Sequence, residues 1–465
     1  MIDTLTTPLI PSKKPLSCCN VESMNESIGL VNNVSTRQKL IVLSADALVY
    51  EDLAYLETLP NFRKYLSGGC RIERVRSIYP TITYPCHATM ATGVYPDKHG
   101  LAGNLCFIPG DLNPPWHWFY DELKFKESIF KSAKQAGYTT AAVYWPSTGC
   151  NPYIDYLIDE YWTQGPEDSI PDAYARSGSS EEVLEIIRNN MDGVVLRSHP
   201  GSDEFAMNCA IDILRRFAPD LLMIHPANID GLRHKTGVFT AAVQEEVART
   251  DGWIGRIMEA VAANGDLENT NFVLTSDHGQ LNTVRTVNLN VFFADKGLIS
   301  VGPDGSLADW QAYCLSGGLS ALVYLKDSEN QALYQSVYSL LRQMADDGIY
   351  GFSQVFTREE YRKEHLDGDF SFVLESDGYT SFGDHWVRPI VLDRNNSSDY
   401  RYGRATHGHL PEKGPQPVFI ARGPAFRENV VLPSGRLVDE APTLAAVLGV
   451  QIPGADGRVM HELLK

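Results

Sequence analysis

Residues 39–46 read KLIVLSAD and residues 271–278 read NFVLTSDH. Each is an apolar run of strand length that closes directly on a polar residue. A short uninterrupted apolar run is what a strand buried on both faces requires. Moving outward, the same unit recurs in RIERVRSIYP (71–80), YTTAAVYWP (138–146), PDLLMIHPANID (219–230), SALVYLKD (320–327), DFSFVLES (369–376) and PVFIARGP (417–424). Between these runs lie helical patterns: SSEEVLEIIRNNM (179–191), EFAMNCAIDILRRFA (204–218) and FTAAVQEEVARTDGWIGRIMEAVAANG (239–265). The longest has apolar spacings of three and four and a glycine at its end. The alternation predicts an α/β fold whose large, mainly parallel β-sheet is flanked by helices.

In open α/β sheets, ligands bind at the carboxyl ends of the strands, so the residues that follow each run carry the chemistry. Asp46 follows LIVLSA, Thr83 follows RVRSIYP, Asp230 closes LLMIHPANID, and Asp277 with His278 closes NFVLTSDH. Asp230 and His234 are four apart in DGLRH and share a face if that segment is helical. Carboxylates and imidazoles together suit zinc first, manganese or iron second. A third imidazole is needed beside Asp230 and His234: His407, in a glycine-flanked loop, is preferred over His409 and His385. Carboxylates clustered on one rim repel one another and call for a cation, which favours a two-metal site.

These pieces resemble the nucleotide pyrophosphatase/phosphodiesterase family of the alkaline phosphatase superfamily. The match is carried by SAD (44–46), PTITYPCHATMATGVYPDKHGLAGN (80–104), DGLRH (230–234), SDHGQ (276–280), THG (406–408) and VDEAPTLAAVLGVQIPGADGR (438–458). The resemblance implies an alkaline-phosphatase-like sandwich over about residues 38–465, with two Zn2+ ions. Asp46, Thr83, Asp277 and His278 are implied around one, and Asp230, His234 and His407 around the other. Thr83 is the implied nucleophile of a phospho-threonine intermediate, and Asn104 the implied donor to a phosphoryl oxygen. Tyr84 is implied to pack against the organic group of the substrate. Trp116 to Tyr120, Tyr144, Trp145 and His225 are aromatic candidates for the same wall. The chain departs from the family at Cys86, commonly Asn, and at Tyr84, commonly Phe. Cys86 lies outside the C-x-P-x-R pattern of sulfatases. Pro85 fits a first helical turn, whose free N–H groups are expected to face the phosphate.

Three aspartates and one alkoxide balance two zinc ions, and Asn104 adds no charge, so diesters or pyrophosphates are expected over monoesters. Arg76 or Arg233 pointing inward would reverse that. The other enzyme reading is a carbon–phosphorus hydrolase resembling phosphonoacetate hydrolase; a phosphate mutase of the superfamily, which typically uses serine with manganese, is less similar. The non-enzymatic reading is a zinc protein that binds a phosphorylated ligand.

The 465 residues, 43% apolar and 21% charged, contain no apolar run long enough to span a bilayer, so membrane insertion is not expected. A net charge of −18 speaks against a nucleic-acid polymer as partner and leaves small phosphodiesters, nucleotides or phosphonates. The eight cysteines (18, 19, 70, 86, 106, 150, 209 and 314) form no CxxC pair and are expected to be mostly reduced and buried. Residues 1–37 read as a polar tail without a secretory signal, which predicts a cytoplasmic protein. Insertions or caps are expected at about 151–200 and 359–404, where Pro, Gly, Ser and charged residues interrupt the alternation. No oligomeric state follows from the sequence.

Overall fold

The computed structural model describes residues 37–393 and 399–465, so the expected polar tail lies outside the described residues except for Arg37. Gln38–Lys465 forms one compact unit. Its strands are β1 (Lys39–Ser44), β2 (Cys70–Arg76), β3 (Thr140–Val143), β4 (Tyr156–Ile158), β5 (Leu221–Ile224), β6 (Thr270–Thr275), β7 (Ala312–Ser316), β8 (Ser320–Leu325), β9 (Phe352–Thr357), β10 (Phe372–Ser376), β11 (Phe419–Arg422) and β12 (Val431–Arg436), with shorter strands between them. Eight of these form the main sheet in the order β12-β2-β11-β6-β1-β5-β3-β4. Strands β6, β1, β5, β3 and β4 run parallel to one another, whereas β11 is antiparallel to both β6 and β2.

Five helices matter for the site: α1 (Thr83–Thr92), α2 (Gly201–Phe217), α3 (Asn228–Thr236), α4 (Ala241–Ala263) and α5 (Glu440–Val447). They cover both faces of the sheet, which is why its central strands read as continuous apolar runs. In β1, Leu40 and Val42 share a core with Cys86 and Met90 of α1 and Leu444 of α5. The alternate residues, Ile41 and Leu43, pack with Phe205 of α2 and Trp253 of α4. None of these four β1 side chains is more than 1% exposed, and each burial stabilises the fold by about 1.5–3 kcal/mol.

The mainly parallel reading needs one adjustment. SALVYLKD and DFSFVLES, together with β7 and β9, form a separate antiparallel sheet in the order β7-β8-β10-β9. The cause is local: Gly317 and Gly318 turn the chain between β7 and β8, and a connection that short permits only antiparallel pairing. The segment 151–200 contains β4 and helices Ile170–Arg176 and Glu181–Asn190, while 359–404 contains β10 and strand Thr380–Gly383. Residues 394–398 of the second segment lie outside the described residues. Among the described residues no helix is long and apolar enough to cross a membrane.

Candidate active site

Asp46 stands two residues beyond β1, and Asp277 and His278 stand just beyond β6. Thr83 is the first residue of α1, and Asp230 and His234 occupy successive turns of α3, which follows β5. His407 belongs to the loop leading to β11. Because β11 is antiparallel, it begins opposite the end of β6, with Phe419 paired to Thr275, so its leading loop reaches the same rim.

The structure brings these residues into two adjoining donor sets, Asp46–Asp277–His278 and Asp230–His234–His407. In the first, His278 Nε2 lies 3.1 Å from Asp277 Oδ2, 3.6 Å from Asp46 Oδ1 and 3.2 Å from Thr83 Oγ1. Tetrahedral zinc, with bonds of about 2.0–2.1 Å, holds neighbouring ligand atoms roughly 3.3 Å apart. Asp46 Oδ1 and Asp277 Oδ2 are buried and accept no hydrogen bond. Burial, then repulsion from Asp230, pushes the Asp46 carboxyl well above the usual carboxylate range, and burial with Asp46 does the same to Asp277. Bare buried carboxylate oxygens converging on an imidazole nitrogen fit a divalent cation, which supplies the missing counter-charge.

In the second set the ring orientations are fixed from behind. His234 Nδ1 donates to the Ala405 carbonyl at 2.7 Å, and His407 Nδ1 donates to the Thr81 carbonyl at 3.0 Å. Each ring therefore turns Nε2 toward Asp230, at 3.1 Å from Oδ2 for His234 and 4.0 Å from Oδ1 for His407. A backbone carbonyl behind the ring is the usual way a metal-binding imidazole is oriented. Burial drives His407 down to about 3, so that ring is neutral. Burial opposes ionisation of Asp230 too, but His234, His407 and His278 hold its carboxyl below the ordinary range. The rings of His278 and His407 stack with centroids 4.1 Å apart, which joins the two sets.

Around Thr83 the structure corrects one expectation. The first-turn N–H groups of α1 are largely used up: Tyr84 N–H donates to Asn104 Oδ1 at 3.0 Å, Pro85 has none, and Cys86 N–H donates to the Ile82 carbonyl. A helix start whose donors are spent internally is a weak anion site. The Tyr84 contact instead holds the Asn104 amide in place by its carbonyl end. His87, not singled out by the sequence reading, lies one turn after Thr83. Its Nδ1 donates to the Thr83 carbonyl and its Nε2 accepts from the Ser44 hydroxyl, both at 2.9 Å. It ties the end of β1 to the start of α1, and burial keeps it neutral.

A family model described as type I phosphodiesterase / nucleotide pyrophosphatase matches residues 40–403. The chain belongs to this family. It is 26% identical over 251 residues to bovine ectonucleotide pyrophosphatase/phosphodiesterase family member 3, a match covering 52% of this chain and 24% of that protein. It is 24% identical over 445 residues to human bis(5'-adenosyl)-triphosphatase ENPP4, covering 91% and 81% of the two chains. Other relatives include a nematode and a rat member of which this chain spans 47% and 44%, so it covers less than half of several relatives' length. Among solved structures, murine ectonucleotide pyrophosphatase/phosphodiesterase 5 superposes with a TM-score of 0.63 at 20% identity, covering 92% of this chain and all of that one. That similarity establishes the alkaline-phosphatase-like α/β fold.

Within this phosphodiesterase-family scaffold several expected residues have other tasks. His225, read as part of the substrate wall, has Nδ1 bonded to the Tyr144 carbonyl and Nε2 to Asp46 Oδ2, each at 3.0 Å. With both nitrogens engaged and the ring buried, it orients Asp46. His409 and His385 lie in neither donor set. Arg76 pairs with Glu364 and Glu412, and Arg233 with Asp52, so neither reaches the rim. Thr81 holds the His407 loop through the Gly408 N–H and the His409 carbonyl, Thr89 bonds the Val94 carbonyl, and Cys86 packs beside Ser77.

The expected aromatic cluster divides in the same way. Trp116 meets the Tyr84 ring edge-on at 5.3 Å, and Trp118 packs with Tyr161 and Trp162. Trp145 lies against His87, Tyr144 bonds Tyr174, and His117 turns away to Glu122. A cavity of about 320 Å³ is lined by Trp116, Trp162 and Tyr400 together with Arg197, whose guanidinium lies 5.0 and 4.4 Å from the Trp116 and Trp162 ring centroids. Arg197, Trp162 and Tyr400 belong to no motif, and only the tertiary structure assembles them.

Proposed function

We propose that the protein hydrolyses phosphodiester or pyrophosphate bonds in small nucleotide-like substrates, with Thr83 as nucleophile and two zinc ions held by the two donor sets. The observation that carries this reading is the convergence of Thr83 Oγ1, His278, Asp46 and Asp277 beside the second donor set, with Asn104 oriented from Tyr84. The Zn2+ ions supply Lewis-acid chemistry, lowering the pKa of a bound hydroxyl and neutralising developing charge.

Thr83 gives up its hydroxyl proton to solvent, and its Oγ1 forms the new bond to phosphorus as the bond to the leaving oxygen breaks. The departing alcohol or phosphate takes up a proton. Water then cleaves the phospho-threonine and regenerates the hydroxyl. Asn104 donates through its amide to a non-bridging oxygen, and such a preorganised donor is worth about 10²–10³-fold in rate. His225 and His87 keep Asp46 and Thr83 in register.

The organic group is assigned to the aromatic cavity at Trp116, Trp162 and Tyr400, with Arg197 supplying a positive charge for a further phosphate. Neither Arg76 nor Arg233 adds charge at the rim, which keeps diesters and pyrophosphates ahead of monoesters. Support for an adenine nucleotide class comes from the triphosphatase relative and from a solved complex of an inactive murine member with AMP.

The test is a panel of bis-p-nitrophenyl phosphate, p-nitrophenyl phosphate, diadenosine polyphosphates and phosphonoacetate, assayed with zinc on wild type and Thr83→Ala. Faster turnover of diesters and pyrophosphates, abolished in a variant that keeps two zinc equivalents, is expected. Turnover of phosphonoacetate alone, or diester hydrolysis that survives Thr83→Ala, would overturn the reading.

A further inference from the structure

A third cluster of metal-binding side chains lies on the loop that carries Asn104 and Trp116 and shares no residue with the two donor sets. Cys106 Sγ is 3.6 Å from His117 Nδ1 and 3.8 Å from Glu122 Oε2, and His117 Nδ1 is 2.6 Å from Glu122 Oε2. The three atoms close a triangle. A Cys–His–Glu catalytic relay needs the thiol on one ring nitrogen and the carboxylate on the other; here both face Nδ1. That convergence suits a shared cation instead.

The dimensions agree with this. Zn–S of about 2.3 Å and Zn–N or Zn–O of about 2.0–2.1 Å at tetrahedral angles give separations of roughly 3.5 Å from sulfur to nitrogen or oxygen. The two sulfur distances already match. Only the His117–Glu122 pair, now hydrogen-bonded, has to open by roughly 0.7 Å.

Two neighbouring contacts prepare the site. Glu122 Oε1 accepts the Phe119 N–H at 3.1 Å, which aims Oε2 at the ring. The His117 carbonyl accepts from the Ser147 hydroxyl at 2.8 Å, which anchors that side of the loop. The His117 and Glu122 side chains are 22% and 28% exposed, so an ion and one water can reach them. The 2.6 Å contact between His117 Nδ1 and Glu122 Oε2 holds a proton where the cation would sit.

We propose that Cys106, His117 and Glu122 form a third metal site, selective for zinc or a similar borderline divalent cation, that cross-links the loop bearing Asn104 and Trp116. Binding releases the Cys106 thiol proton and the His117 Nδ1 proton to solvent, and water completes the coordination. The loop link is short. Asn104 O accepts from His117 N–H at 2.9 Å, Cys106 N–H donates to Pro115 O, and Leu105 bridges Trp116. A cation at this point clamps the two loop strands that carry Asn104 and Trp116.

The site is separable from the hydrolytic centre because neither Asp/His set contains sulfur. Full-length protein titrated with Co2+ is expected to bind three equivalents and to show a thiolate-to-cobalt charge-transfer band in the near ultraviolet. Cys106→Ser should abolish the band and reduce the stoichiometry to two, while Cys86→Ser, Cys18→Ser and Cys19→Ser keep both. Glu122→Gln retains sulfur and nitrogen but loses the carboxylate ligand, and is expected to weaken the band-forming event by at least the roughly 10–100-fold that loss of an outer-shell partner costs. Absence of the band from wild type, or its persistence in Cys106→Ser, would overturn the proposal, whatever substrates the enzyme hydrolyses.

Discussion

Arg233 sits between Asp230 and His234 in α3 yet points into the protein. It is fully buried, donates from Nη2 to Asp52 Oδ2 at 2.5 Å and from Nη1 to the Val238 carbonyl, and thereby fixes the helix that carries two of the donor residues. Burial raises the Asp52 pKa and lowers that of Arg233, despite their mutual attraction, so each charge loses more hydration than its partner returns. Arg233→Met leaves the Asp52 carboxylate buried with one donor, the Val49 N–H at 2.9 Å. Breaking a buried pair from one side costs about 3–5 kcal/mol. Arg233→Met combined with Asp52→Leu removes both charges and strands only the Val49 N–H and the Val238 carbonyl, at about 1–3 kcal/mol for each buried group left unsatisfied. Because the removed charges were themselves costly, the double variant should be more stable than Arg233→Met alone. Urea unfolding followed by tryptophan fluorescence, with unchanged slope, measures this. A double variant as unstable as the sum of its two singles would refute the coupling.

Three further outcomes follow from the site geometry. Asn104→Ala should lower kcat on a diester by about 10²–10³-fold with metal content unchanged, as measured by steady-state kinetics and metal analysis. Gly408→Ala should expel the His407 loop: φ is +98° there, and a Cβ would lie 1.8 Å from the Gly317 carbonyl oxygen. Strain of about 1–3 kcal/mol is expected, with loss of close to one zinc equivalent, and unaltered metal content would count against it. His99 is buried, accepts the Leu101 N–H at Nδ1 and donates to Thr89 Oγ1, and burial lowers its pKa to about 3. Its unfolded form titrates near the ordinary 6.5, so stability should fall as pH drops through 6.5 and level off near 3. The loss from this group is about 2 kcal/mol at pH 5. His99→Gln should flatten that part of the stability–pH curve, and an unchanged slope would show that the histidine is not responsible.

Much of the fold was legible because buried parallel strands need unbroken apolar runs, and β1, β5 and β6 have them. The donor residues were legible for a related reason: Asp46, Asp277 and His278 follow their strands at once, and Asp230 and His234 stand one helical turn apart. The role of β11 was less so, since an apolar run carries no direction and PVFIARGP reads alike in either orientation. For Asn104 the sequence carried no sign that its carbonyl end is spent on Tyr84. His87, Arg197, Trp162 and Tyr400 carried no usable signal, because nothing in their local spacing distinguishes them from packing residues.

The order of residue types along the chain therefore determined the α/β layering, the rim on which polar groups gather and the identity of the groups that could hold cations. Only the tertiary structure decided which ring nitrogen faces inward, which aromatic rings share the cavity with Arg197, and that Cys106, His117 and Glu122 meet. The reason is that strand and helix formation follow from local periodicity, whereas a ring's orientation depends on partners remote in sequence. His407 turns its Nε2 toward Asp230 because Thr81, 326 residues earlier, offers a carbonyl to its Nδ1.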